Sequence, residues 1–348
     1  MKKIMKYSIM SAIAVFLLSL SACNVHEWPK SEGKARVKLN LDFNTDIDEY
    51  LTIYADDLGR SSRSPEDYDV RYVVKAHLFI SETDYLEESF QTWVFTKDDV
   101  DDLNTTEYID IAPGKYKIMV WTDFVEKGTK DDKFYAPANF SSISMTSEYD
   151  GNNDFRDAFI GSYDLDVDYS NLSVNNQLVA NIIMNRPLAK YYFVTTDVEE
   201  FASRYISEHS LKDGTSAIVG KDQIDYTKLS LKFRYTGYLP SVFNMHTNRP
   251  VNVITGVSFN STITDVTDNE ATLGFDYVLV NGKESSVAVA VELYDTDGTT
   301  VISMSSTINV PLVRGKYTII KGKFFTQSEQ SGCRIDPSWE GDHNVWFF

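Results

Sequence analysis

An all-β fold is what this sequence predicts, two β-sandwich domains with one short helix in the second, and three observations lead there. Apolar residues alternate with polar ones along most of the chain, the period of a strand with one buried face. Only one segment carries a convincing helical spacing. A Gly-Lys-Tyr turn launches an alternating strand near the end of each half, at Gly114-Lys115-Tyr116 and again at Gly315-Lys316-Tyr317, as two sandwiches of similar design would have it.

The first 22 residues stand outside the fold. Lys2, Lys3 and Lys6 precede an apolar stretch of 12 residues, Ile9 to Leu20, broken only by Ser11 and Ser19. That is the layout of a signal peptide, and it falls short of the roughly 20 apolar residues a transmembrane helix needs. Leu20-Ser21-Ala22-Cys23 resembles the bacterial lipobox, which makes Cys23 the expected lipid attachment site and residues 23–34 a tether. Asn24 behind it is not the Asp-type signal for inner-membrane retention, so the outer membrane is the expected location.

Lipidation of Cys23 leaves Cys333 without an intramolecular partner, which excludes a disulfide framework. Without the leader and its three lysines, 30 basic face 51 acidic residues, a net charge of −21 that disfavours nucleic acid and anionic lipid surfaces. The remaining 326 residues exceed one typical core and divide at Asn185-Arg186-Pro187 into an N-terminal sandwich, 35–186, and a C-terminal one, 187–348.

The elements follow in order. Val37, Leu39, Leu41 and Phe43 alternate with polar neighbours as the first strand. A polar loop, Gly59-Arg60-Ser61-Ser62-Arg63-Ser64-Pro65, separates it from a second strand, Tyr72 to Ile80, and has the composition at which proteases cut. Trp93 and Phe95 mark another strand, and Tyr116, Ile118 and Val120 follow the Pro113-Gly114 turn. In the second half, Thr196 and Glu199 have the spacing of a capping box ahead of Val198, Phe201, Ala202, Tyr205 and Ile206, a one-faced helix expected to cover a sheet edge. Leu229 to Tyr235 is a strand. Phe275, Tyr277 and Leu279 run into Asn281-Gly282, read as a hairpin turn, with Val287, Val289 and Val291 returning.

No catalytic constellation emerges, and no cofactor is implied. Asp164, Asp166 and Asp168 would share one face of a strand; the glycine and terminal Glu of an EF-hand calcium loop are missing, so a solvated face is the favoured reading. Asp98-Asp99-Val100-Asp101-Asp102 and Asp131-Asp132 read as loop surface, and Asp295-Thr296-Asp297-Gly298 as a turn. His26, His77, His209, His246 and His343 lack zinc spacing, and no Gly-x-Ser-x-Gly elbow is present.

Ordered stretches along the chain resemble the fimbrillin superfamily, the pilus subunits, anchors and cell-adhesion lipoproteins of Bacteroides-type bacteria. They begin with His26-Glu27-Trp28-Pro29 behind the lipobox, Pro113-Gly114-Lys115-Tyr116 with Val120-Trp121-Thr122-Asp123, and Phe155-Arg156-Asp157-Ala158-Phe159. They continue with Arg186-Pro187-Leu188-Ala189-Lys190, Thr195 to Phe201, Tyr238-Leu239-Pro240-Ser241, Val310 to Arg314 and Ile335-Asp336-Pro337-Ser338-Trp339. The resemblance implies tandem transthyretin-like sandwiches and a lipid-anchored, non-enzymatic role in surface structures, with other fimbrial subunits or surface ligands as partners. It also implies assembly by strand donation, in which an Arg-directed protease removes the first strand. Arg60 and Arg63 fall where such a cut would release Val37 to Phe43, and the terminal Val345-Trp346-Phe347-Phe348 is apolar enough to dock on a sheet. The alternative is a glycan-binding surface lipoprotein using Trp28, Trp93, Trp121, Trp339, Trp346 and the 21 tyrosines as stacking platforms.

Overall fold

A computed structural model describes residues 33–53, 68–78, 91–99, 102–146, 149–172, 177–209 and 224–327. The first half runs β1 (Ala35–Phe43), β2 (Asp48–Ile53), β3 (Tyr68–Leu78), β4 (Gln91–Lys97), β5 (Thr105–Ile111), β6 (Gly114–Glu126), β7 (Tyr135–Ala136), β8 (Ile143–Met145), β9 (Ala158–Val167) and β10 (Leu178–Met184). The second half runs β11 (Leu188–Thr195), helix α1 (Val198–His209), β12 (Ser230–Tyr235), β13 (Leu239–Asn244), β14 (Arg249–Ile254), β15 (Ser258–Ser261), β16 (Ala271–Leu279), β17 (Glu284–Tyr294), β18 (Val301–Met304), β19 (Ile308–Val313) and β20 (Lys316–Gly322).

Alternating side chains fold into layers because each strand has one apolar face to hide. In the first half, sheet β10-β1-β5 lies over sheet β4-β3-β6-β9 and encloses one apolar cluster. In the second, sheet β16-β11-β20-β2 lies over the sheet of β15, β12, β17, β18 and β19 and encloses another. The halves interlock. β2 comes from the first half yet pairs in parallel with β20, and β8 pairs with β13 to form a sheet β14-β13-β8-β7 drawn from both. Phe243, Met245, Tyr277 and Leu279 accordingly belong to the first cluster.

The structure corrects the sequence reading in four places. The loop carrying Arg60 and Arg63 does not follow the first strand; β2 intervenes, and its short, acidic start masks it in sequence. β3 is buried on both faces from Val70 to Ala76, because the segment around residues 130–138 covers its outer side through Arg71 and Lys75. The turn at Asn281-Gly282 is not a hairpin: Gly282 has φ +82°, but β16 and β17 lie in opposite sheets, so the turn carries the chain across the sandwich. Thr196 does not start α1. The carbonyl of Asp197 accepts the first helical bond from Phe201 N, while the amide of Thr196 donates to Gly322.

Candidate functional site

β1 is the strand that the resemblance makes removable, and its place in the sandwich is central. It pairs in parallel with β10, Val37 opposite Leu178 through Phe43 opposite Met184, and antiparallel with β5, Ala35 opposite Ile111 through Leu41 opposite Thr105. Ala35, Val37, Leu39, Leu41 and Phe43 point inward and are no more than 6% exposed. Each fully buried Val, Leu or Phe contributes about 1.5–3 kcal/mol. An empty slot is therefore prohibitive for a domain whose whole stability is about 5–15 kcal/mol, whereas a slot refilled by another strand of the same period is not.

The C-terminal end of β1 is fastened by side chains from three other segments. Phe43 N donates to Asn104 Oδ1 at 2.8 Å, and the Phe43 ring meets Phe159 edge-on at 5.3 Å. Arg186 Nη1 donates to the carbonyls of Asn44 at 3.3 Å and Asp46 at 3.0 Å, holding the link from β1 to β2. Arg186 is itself fixed by Asp157, 2.7 Å from its Nε, and lies over the Phe159 ring at 4.6 Å. Burial pulls the Asp157 carboxyl above its ordinary value, with Arg186 opposing. The outward face of β1 joins its neighbours by polar contacts: Asn40 Nδ2 donates to Asn181 Oδ1 at 2.7 Å, and Thr106 Oγ1 to Asn40 Oδ1 at 3.1 Å.

A second cluster locks the halves together. The 3-10 turn Asp154–Arg156 sends Arg156 against Asp276 of β16, Nε to Oδ1 3.4 Å, and over the Tyr149 ring at 4.0 Å. Asp276 accepts from the hydroxyls of Tyr149 and Tyr235. Lys190 donates to Asp154 Oδ1 at 2.6 Å and is ringed by Tyr192, Phe275 and Tyr277 at 4.0–4.9 Å. In sequence, Phe155-Arg156-Asp157 and Arg186 to Lys190 stood out only as matching stretches. The signal available was charge inside an apolar run, which a strand tolerates only where a partner waits.

The sequence-predicted residues are placed as follows. Cys23, Arg60, Arg63, Cys333 and the terminal Val345 to Phe348 lie outside the described residues. Asp166 and Asp164 on β9 face Lys115 and Lys117 of β6 at 3.6 and 3.9 Å, and Asp168 accepts from Ser170 N in a turn, so the three do not converge. Among the described residues no group of three or more His, Cys, Asp or Glu is placed to hold a metal. Asp295 to Gly298 forms a turn, Gly298 N to Asp295 O 2.8 Å. Trp121 is fully buried and Trp93 half-buried on β4, so neither offers an open stacking face; Trp28, Trp339 and Trp346 lie outside the described residues. No helix among the described residues is long and apolar enough to cross a membrane.

Fold and slot together define an all-β sandwich protein that houses its own first strand between two others. The chain belongs to the family described as a family of unknown function (DUF6562), whose model matches residues 30–346. No curated protein matches it. Similar solved structures include the fimbrial anchor protein Mfa2 from Porphyromonas gingivalis, 10% identical over 78% of this chain and 82% of that one, with a TM-score of 0.37. Another is a fimbrial assembly protein from Parabacteroides distasonis, 11% identical over 86% of this chain and 93% of that one, with a TM-score of 0.39. At these TM-scores the likeness stops short of a shared function.

Proposed function

We propose that this chain is a non-enzymatic cell-surface lipoprotein of fimbrial or adhesive type, a pilus subunit, anchor or tip component held at the outer membrane by a lipid on Cys23. Its halves act as transthyretin-like sandwiches, and it joins other subunits by β-strand donation. The observation that supports this is β1 itself: the first strand of the described fold sits between β10 and β5 with five inward residues filling successive positions of a groove. Such a groove offers both requirements of strand addition, main-chain hydrogen bonds on either side and alternate pockets for side chains.

Digesting the purified chain with an Arg-specific protease tests the proposal. A cut at Arg60 or Arg63 frees β1 and β2 together, since both precede it. The expected result is a ladder of denaturant-resistant multimers, absent when both arginines are replaced by lysine. A cut chain that loses residues 35–53 and stays monomeric would overturn strand donation.

A further inference from the structure

β2 is a first-half strand at the margin of a sheet whose other three strands, β16, β11 and β20, come from the second half. Its seat is shallow. Asp48 and Glu49 are exposed, and Tyr50, Leu51 and Thr52 are only half-buried. Among the described residues it pairs on one side only, in parallel, with a register shift between Glu49 and Leu51. Parallel pairing is slightly weaker per residue than antiparallel. The seat nevertheless has an address. The register sets Asp48 beside Lys316 and Glu49 beside Tyr317, whose hydroxyl donates to Glu49 Oε2 at 3.5 Å. An extended segment with an acidic head and an alternating tail is what this edge selects. β1, one short link away, is sealed in its slot, and Arg186 fixes where the link leaves it. Deep β1 and shallow β2 thus belong to different stability classes.

We infer that the edge of β20 is an intermolecular strand-acceptor site, and that its occupant is the Asp48–Ile53 segment of a second copy of this chain. The exchange pivots at Ile47, beyond the Asn44 and Asp46 carbonyls that Arg186 holds, while β1 stays home. The contacts made between copies are the ones made within one chain, so exchange costs little beyond association. A second copy is the partner because its segment carries the acidic head in the register that Lys316 and Tyr317 read. The inference requires neither the loss of β1 nor a proteolytic cut, so it stands or falls separately from strand donation.

The test uses chains from Asn24 onward with Cys333→Ser. One copy carries Thr52→Cys and a first tag, the other Ile319→Cys and a second tag; positions 52 and 319 are register partners. Neither copy can form this disulfide within itself. The control replaces Ile319→Cys by Val301→Cys on β18, 47% exposed. Exchange brings the thiols to an effective concentration on the order of mM, so at a protein concentration of about 50 μM the two-tag disulfide dimer is expected at least about tenfold above control. Asp48→Lys with Glu49→Lys in the first copy is expected to cut the yield several-fold. A yield no higher than control overturns the acceptor site. A yield indifferent to the charge reversal overturns the recognition of the acidic head. Should either cysteine variant fail to fold, Leu51→Cys with Thr318→Cys, also register partners, reads the same pairing and leaves Asp48, Glu49, Lys316 and Tyr317 in place.

Discussion

Asp276 has neighbours on every side. Arg156 approaches from the first half, two tyrosine hydroxyls donate to it, and its own Oδ1 accepts from Tyr277 N at 2.8 Å. The Tyr191 hydroxyl extends the network to Tyr235 at 3.0 Å. Burial raises the carboxyl's pKa and Arg156 opposes it. Removing one member of a buried pair leaves the other charge uncompensated, which costs about 3–5 kcal/mol. Asp276→Asn should therefore lower the unfolding free energy in urea by about that amount. The double variant with Arg156→Met should recover most of it, because the stranded cation is then gone. Equal losses for the single and the double variant would show that Arg156 does not depend on Asp276. None of this was legible in sequence. Phe275, Tyr277 and Leu279 announce an inward face, which assigns Asp276 to solvent, yet Asp276 is fully buried and Phe275 half-buried. Period two reports that faces differ; it is silent on whether a second layer covers the polar one.

Most of the strands are legible for a simple reason: β1, β12 and the first part of β17, through Val289, spend their alternation on a sandwich interior, so the pattern survives in the sequence. β2 and β14 were missed because they bury little. Among the described residues β14 pairs only with β13, and five of its six residues are exposed, among them Val251 at 54%, Val253 at 39% and Ile254 at 38%. Without a buried face there is no alternation to read. An aliphatic edge strand free of charge from Pro250 to Ile254 is a template for chance pairing between molecules, and charged side chains blunt such edges. Val251→Lys with Val253→Lys should raise the concentration at which light scattering detects self-association, with Tm changed by no more than about 2 °C, as for most surface changes. A large loss of Tm would instead show that these valines support the fold. The acceptor slot was legible only in part: its plug, Val37 to Phe43, is plain from alternation, while its walls, β5 and β10, lie some 70 and 140 residues downstream.

Across the whole molecule, 51 acidic residues oppose 33 basic ones, and self-repulsion weighs on the compact state near neutral pH. Buried carboxyls act in the same direction. Asp123 binds Arg71 through Nε at 2.9 Å and Nη2 at 2.7 Å, yet burial outweighs the arginine and brings its pKa to about 6 from an ordinary 3.8. Asp157 and Asp276 are raised for the same cause. An acid with a higher pKa folded than unfolded holds its proton more tightly in the folded state. The stability it contributes is fully present below pH 3.8 and is lost as pH rises through about 6. Groups of the opposite kind work elsewhere on the scale. Threonine donors depress the exposed Asp297 to about 2, so its contribution fades only as pH falls below the ordinary carboxylate range. The two windows barely overlap, and stability should peak near pH 4. Urea unfolding should show the chain more stable at pH 4.5 than at pH 7.5 by about 1–3 kcal/mol, since a carboxyl that binds its proton tenfold more tightly when folded contributes about 1.4 kcal/mol. Asp123→Asn should flatten that slope, because the variant has no proton to bind there. A parent curve that instead climbs toward neutral pH would mean that Arg71, rather than burial, governs the Asp123 carboxyl.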